Sequence, residues 1–358
     1  HRQAPYAKPR QRKLAGFFLL RPWWGYHPVR SLQRGWLVSA NTLVRILADG
    51  EFHSGADLGA ALGLGRAAVW KQVGRLSEQG IDVQAVRGKG YRVQGGLDLL
   101  DADVIRAAIA PAASAQLAQL DVFGSVDSTN TVAMSRSRVG GGCYACLAER
   151  QTAGRGRRGR AWESPYAASL YLSVLREFPG GVAVVEGLSI AVGVVVAEVL
   201  VRLGVAGTGL KWPNDIVVGP EKLGGILIEL TGDFGGSCRA VIGVGVNVAM
   251  PSSITVDQPW TDIRRQGAGV SRNPLAAALL SALVPALDVF EAQGLSPFLE
   301  RWAAFDVLRG RAVTLYQADG RQQHGIADGI EASGALRVLA EDGLLVARGG
   351  EVSVRATA

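Results

Sequence analysis

Residues 98–305 alternate strand-length apolar runs with helical ones, and this alternation limits the possible folds more than any other feature of the chain. Helices are read at 101–109 and from Ser128 onward, strands at 120–123, 144–149 and 169–174, and one long helix over 183–203. Strands follow at 215–218, 222–230 and 240–248, then helices at 273–293 and 297–301. Alternation of this kind predicts an α/β domain with a mixed sheet. The most apolar run, 187–197, is about half a membrane span and is closed by Glu198, so a buried helix and no membrane segment are expected.

The flanking segments follow different periods. Helical spacing over 42–47 stops at Asp49-Gly50, His53-Ser54-Gly55 caps a helix over 56–62, and Gly63-Leu64-Gly65 makes a tight turn. A second helix runs from Arg66 through Ala67, Val69, Val73 and Leu76 and is read as exposing Arg66, Lys71, Gln72 and Arg75. Two short strands over 83–93 then surround Arg87-Gly88-Lys89-Gly90-Tyr91-Arg92. Helix, glycine turn, helix and basic hairpin in that order predict a winged helix-turn-helix. Its second helix enters the major groove, while Arg87, Lys89 and Arg92 meet phosphates. A packing module with solvated charges is the alternative. After Gly310, turns at Asp319-Gly320, Ser333-Gly334, Asp342-Gly343 and Gly349-Gly350 cut short β-rich runs, which suggests a small closed barrel. The expected division is a basic tail at 1–38, a DNA-binding domain at 39–97, an α/β domain at 98–308 and a barrel at 309–358.

Charge needs dissection before it supports any partner. Residues 1–38 hold eight Lys or Arg and no acid, so the net charge of +7 becomes 30 basic against 31 acidic residues once they are set aside. That tail has no helical or strand period. It is read as disordered, with translation expected to start near Val38. Three cysteines (Cys143, Cys146, Cys238) are too few for a disulfide framework and suit a reducing cytoplasm. The lone Cys143-x-x-Cys146 lacks the further ligands that structural zinc needs, and four scattered histidines argue against histidine catalysis.

The chemistry concentrates in three clusters of the α/β domain. Gly154-Arg155-Gly156-Arg157-Arg158-Gly159-Arg160 sets four guanidinium groups among three glycines. Glycine lets backbone wrap a ligand closely, and arginine supplies forked, permanently charged donors for carboxylate and phosphate oxygens. Lys211-Trp212-Pro213-Asn214-Asp215 leaves a strand at a proline, and Lys222-Leu223-Gly224-Gly225-Ile226 puts a lysine at a strand entrance before two glycines. Together they offer cations, a carboxylate and an amide to an anionic ligand.

With Asp127-Ser128-Thr129-Asn130 before them and Gly243-Val244-Gly245-Val246-Asn247 after, these motifs occur in the order seen in biotin protein ligases. Residues 39–355 resemble the bacterial bifunctional members, which also repress biotin-synthesis genes. The resemblance implies an α+β multidomain protein: a winged helix-turn-helix, a mixed-sheet catalytic domain of the class II synthetase type, and an SH3-like β-barrel. It implies joining biotin to ATP with Mg²⁺ to give biotinyl-5′-AMP. The biotinyl group then passes to a lysine of the biotin carboxyl carrier protein of acetyl-CoA carboxylase.

It assigns biotin binding to Ser128, Thr129, Asn130, Gln151, Arg155, Gly156, Arg157 and Lys222, and catalysis to Lys222, Arg157, Lys211 and Asp215. Adenylate contacts fall to Arg158, Arg160, Asn214, Asn247 and Trp162, the last as a lid over adenine. No protein cage holds a metal; Mg²⁺ arrives with ATP, near Asp215. Ala161 departs from the lysine of a close bacterial relative. A glycine-rich loop of this kind is expected to be mobile and to close over ligand. A homodimer formed on ligand binding would present Arg66, Lys71, Gln72 and Arg75 to operator DNA. The alternatives are a ligase with a vestigial DNA module, a biotin sensor without catalysis, and a lipoate or octanoate ligase.

Overall fold

The computed structural model describes residues 41–136, 142–232, 236–317, 321–349 and 352–356; the basic tail 1–38 lies outside them. A helix covers 41–47 (α1). Helix α2, Gly55–Leu62, starts where the Ser54 hydroxyl accepts from the Asp57 N–H at 3.1 Å and stops at left-handed Gly63. After the turn come α3, Arg66–Glu78, and an antiparallel pair, β1, Val83–Val86, and β2, Gly90–Val93. Leu43, Leu47, Leu58, Val69, Val73 and Leu76 build a core of their own for this module. One expectation fails here. Gln72 is not on the reading face but is 7% exposed, because the 69–72–73–76 spacing puts it on the same helical stripe as Val69, Val73 and Leu76.

The central region has short helices α4, Ala102–Ala108, and α5, Pro111–Gln116, followed by β3, Leu117–Phe123, α6, Thr129–Met134, β4, Cys143–Ala148, and β5, Ser169–Phe178. It continues through α7, Leu188–Arg202, β6, Thr208–Lys211, β7, Asp215–Val218, β8, Glu221–Gly232, β9, Cys238–Asn247, α8, Arg272–Gln293, and α9, Ser296–Phe305. Seven strands form one sheet in the order β3-β4-β5-β9-β8-β7-β6. Only the β3–β4 pair is parallel, so the sheet is mixed.

Alternation along the strands sorts the residues by face. Ala240, Ile242, Val244 and Val246 of β9 pack with α7 and α8, whereas Tyr144, Cys146, Leu175 and Val241 pack under α6. The expected single helix over 183–203 is broken. A 3₁₀ turn at Val182–Val185 precedes α7, and Gly187 between them is left-handed with φ 80°, where a Cβ would come within 2.8 Å of Leu295. Two helical stretches, 182–202 and 272–293, have the length and hydropathy of a membrane span, yet eleven of the fifteen α7 residues are buried in this core.

The last module has five antiparallel strands: β10, Ala312–Gln317; β11, Gln322–Ile330; β12, Leu336–Ala340; β13, Gly343–Ala347; and β14, Val352–Ala356. Their order is β13-β12-β11-β10-β14. Val313, Leu336 and Val338 continue the hydrophobic core of the central sheet, and Trp212 donates its Nε1–H to the Gly334 carbonyl at 2.9 Å.

A buried ion pair holds the segment that follows the first module, residues 98–100, against the body of the second. Glu149, just past β4, accepts from Arg272 Nη1 at 2.6 Å, and the two side chains are 6% and 1% exposed. The same guanidinium donates to Asp98 O at 2.7 Å and Ser169 O at 3.0 Å, while the second Glu149 oxygen accepts from Leu100 N at 2.7 Å. Burial pushes the Glu149 carboxyl above its usual range, and Arg272 works against that shift. Removing one partner of such a pair leaves a buried charge uncompensated. Arg272→Ala is therefore expected to cost about 3–5 kcal/mol. A thermal midpoint equal to that of the parent chain would show that the pair is not holding the junction.

Candidate functional site

The floor of the site is the sheet face opposite α7 and α8. On β9 this face presents Gly243, Gly245 and Asn247, and on β8 Gly225, Leu227 and Glu229, each two residues apart. A cavity of about 810 Å³ stands on it. That volume lies within the range of small-molecule and cofactor sites. All fifteen residues of the central region singled out from sequence line it: Ser128, Thr129, Asn130, Gln151, Arg155, Gly156, Arg157, Arg158, Arg160, Trp162, Lys211, Asn214, Asp215, Lys222 and Asn247.

The polar end is a preorganised amide network. Thr129 donates from both its backbone N–H and its hydroxyl to Gln151 Oε1, at 2.9 and 3.1 Å. Gln151 Nε2 donates to Ser164 Oγ at 3.1 Å. The Ser173 hydroxyl lies 2.8 Å from Thr129 Oγ1 and 2.6 Å from Asn130 Oδ1. Asn130 Nδ2 donates to Glu229 Oε2 at 2.7 Å and to the Leu227 carbonyl at 3.4 Å. Gly243 lies beneath: a Cβ there would come within 2.5 Å of Asn130 Oδ1. Ser128 stands at the N-cap of α6 without a side-chain cap bond, and it lines the cavity.

The arginine loop is a tight hairpin. Trp162 N donates to Gly154 O at 2.9 Å and Gly156 N to Arg160 O at 2.8 Å, while Arg158, at φ 56°, and Gly159, at φ 71°, turn the chain through the left-handed region. Arg155 reaches back to Thr131 Oγ1 at 2.9 Å and to both Glu229 oxygens at 3.1 and 3.0 Å. Arg157 donates to Asn214 Oδ1 at 3.1 Å. Burial lowers the pKa of Arg157 most; Asp215 opposes this, and Arg158 and Arg160 add to it. An anion in the cavity would relieve that cost.

At the far end, Lys222 Nζ sits 2.6 Å from Asp215 Oδ1 and 5.5 Å from the centre of the Trp162 ring. Lys211 faces Asp215 as its register partner across the β6–β7 hairpin. Asn214 Nδ2 donates to Ile226 O at 2.7 Å, and Asn247 Nδ2 to Thr261 O at 3.0 Å. The Trp162 indole lies against the floor, where a Cβ at Gly245 would come within 2.8 Å of the ring, and its Nε1 is buried without a hydrogen-bond partner.

Sequence reading missed two features. Glu229 joins the amide network to the loop, and no motif marks it. The second is the rim formed by 255–260, with Lys222 N donating to Pro259 O at 3.0 Å and Arg265 stacked 3.8 Å over Trp260. The aromatic Trp260 in an otherwise polar loop was the available signal.

The family model "Biotin/lipoate A/B protein ligase family" matches residues 122–247, "HTH domain" matches 40–92, and "Biotin protein ligase C terminal domain" matches 309–355. The bifunctional ligase/repressor BirA of Salmonella typhimurium is 44% identical over 317 residues, 88% of this chain and 97% of that protein. The chain belongs to the biotin protein ligase family. The Escherichia coli bifunctional ligase/repressor BirA is 43% identical over 321 residues, 87% of this chain and 96% of its own length. Among solved structures, the Aquifex aeolicus biotin protein ligase in complex with biotin and ATP superposes with a TM-score of 0.58 at 26% identity, covering 67% of this chain and 99% of that one.

In this family member the Arg155–Glu229 contact ties the start of the loop to the sheet, beside the Arg157–Asn214 bond. Glu229→Ala is expected to free Arg155 and to raise limited trypsin cleavage within 154–160 several-fold. Cleavage at the parent rate would show that the contact does not restrain the loop.

Proposed function

We propose that this chain activates biotin with ATP to biotinyl-5′-AMP and transfers the biotinyl group to a lysine of a biotin carboxyl carrier protein, and that it also binds operator DNA as a biotin-responsive repressor. The observation that carries this reading is one cavity with a neutral, hydrogen-bonded amide network at one end and Arg157, Arg158, Arg160, Lys211 and Lys222 at the other. A ureido ring needs paired neutral donors and acceptors. A carboxylate approaching a polyphosphate needs cations.

In the first step the biotin carboxylate oxygen attacks the α-phosphorus and the bond to pyrophosphate breaks. Arg157, Arg158, Arg160 and Lys211 offset the like-charge approach and stabilise charge on the phosphoryl oxygens. Lys222, poised by Asp215, meets the acyl oxygen. In the second step the neutral carrier amine attacks the acyl carbon, the acyl–oxygen bond breaks, AMP leaves and the amine's proton passes to solvent; Lys222 stabilises the oxyanion. Ser128, Thr129, Asn130 and Gln151 hold the ring, with Asn130 acting mainly as framework because its amide already serves Ser173, Leu227 and Glu229. Arg155 and Gly156 cover the biotin tail, and Asn214, Asn247 and Trp162 serve the nucleotide side.

Magnesium would come with the triphosphate. The ion would then lie near Asp215, whose carboxylate faces Lys222 at 2.6 Å. We place the module limits at 39–97, 98–308 and 309–358. We further propose that the protein acts in the cytoplasm, consistent with three free buried cysteines, and pairs as a homodimer when ligand binds, presenting Arg66, Lys71, Arg75, Arg87 and Lys89 to DNA.

The test is to incubate the chain with ATP, Mg²⁺ and a carrier domain, offering biotin or lipoate, and to weigh the carrier by mass spectrometry. One biotinyl group per carrier is expected, on a single lysine. A lipoyl adduct instead would move the chain to the other branch of the family. Arg157→Gly is expected to release the adenylate and spread label to bystander lysines; retention and selectivity equal to the parent would refute the role given to Arg157.

A further inference from the structure

The outer face of α3 carries an aromatic side chain that neither the module's core nor the wing uses. Trp70 is 70% exposed, the highest value for a large apolar side chain among the described residues. It follows Arg66 by one helical turn and lies beside Ala67 and Lys71, all exposed, while Val69, Gln72, Val73 and Leu76 fill the inward face. An indole held in water between two cations contributes nothing to the module's packing. Such a residue marks a contact surface.

Charge says which partner fits. Residues 41–97 carry seven Lys or Arg against five Asp or Glu, and two of the bases, Arg66 and Lys71, are exposed on this helix. Arg66 and Lys71 flank Trp70, and the wing supplies Arg87 and Lys89. The Phe52 ring lies 5.7 Å from Lys89 Nζ and 4.4 Å from the Arg92 guanidinium, so the wing's cations have an aromatic support. Basic residues arranged around a protruding helix match the phosphates bordering a major groove. Base edges in that groove carry one apolar group, the C5-methyl of thymine.

We propose that Trp70 is a specificity-determining residue of the DNA-binding activity and that its indole packs on a thymine methyl in the major groove. The inference rests on the repressor reading above. It assigns sequence discrimination to Trp70 and phosphate or base-edge contacts to Arg66 and Lys71.

The experiment uses the full chain with biotin and ATP to select duplexes from a random pool, then replaces each thymine of the selected half-site by deoxyuridine, which lacks the methyl. At least one replacement is expected to weaken binding by the parent about fourfold, the equivalent of one buried methyl group. Trp70→Ala is expected to lose at least tenfold affinity for the selected duplex and to become indifferent to that replacement. Its non-specific binding, its salt dependence and its carrier labelling should match the parent, the last confirming that the chain is folded. A uracil penalty that persists in Trp70→Ala, or unchanged discrimination by that variant, would overturn the inference while leaving the repressor reading intact. Failure of the parent to select any sequence would overturn both. Loss of self-association in Trp70→Ala with DNA discrimination intact would assign the indole to a second copy of the chain and likewise overturn the inference.

Discussion

The buried pair of Glu149 and Arg272 is the constraint on which the layout of this molecule rests. Exchanging such a pair for apolar residues is often neutral or stabilising, so its use here is positional rather than energetic. One guanidinium nitrogen, Nη2, is buried without a partner, which adds to the cost of the arrangement. What the pair fixes is the relation between four segments: the linker at Asp98 to Leu100, the end of β4, the start of β5 at Ser169 and the first turn of α8. Gln151 and the arginine loop follow Glu149 directly, so the position of every loop residue over the sheet is set from this point.

The same junction bears on the distance between the ligand site and the DNA module. Ala167 N donates to Glu149 O at 3.0 Å, and Tyr166 beside it packs against the core of the winged helix. Four residues earlier, Trp162 lies on the floor of the cavity, and between them Ser164 accepts from Gln151. One short strap therefore touches the cavity floor, the amide network and the winged-helix module in turn. The two functions are separated by a few residues of chain rather than by the width of the catalytic sheet.

Within the cavity, shape and charge come from different parts of the sequence. Period-two alternation makes β9 apolar toward the helices and glycine-bearing toward the ligand, and only glycine leaves room for Asn130 above position 243 and for the indole above position 245. The cations come from loops and hairpin ends, where forked or flexible side chains can converge without disturbing strand pairing. Three are paired with a protein group: Arg155 with Glu229, Arg157 with Asn214 and Lys222 with Asp215. These contacts set the direction in which each of the three cations points.

This division explains what could be read from the residues alone. Most of the element order, the mixed sheet and the cations were legible because each has a local signature: a hydrophobic period, a glycine-rich run of arginines, a lysine at a strand entrance; the short helix Pro111–Gln116 was not read, and the strand Thr208–Lys211 was given no bounds. The 3₁₀ break before α7 was not legible, since one Glu186-Gly187 step inside a long apolar stretch is no strong breaker, and the contact of Gly187 with Leu295 appears only in the fold. Gln72 misled because a polar residue on a helix is assumed to face water, whereas its position on the stripe through Val69 and Leu76 decides otherwise. Glu229 stayed hidden for a related reason. An acid near the exposed end of a strand looks like a solvated charge, and only the fold brings it within 2.7 Å of Asn130 and 3.0 Å of Arg155. Ligand-facing residues are announced by their own chemistry, but residues that orient them act across strands and loops far apart in sequence. Their role appears only when the third dimension supplies the partner.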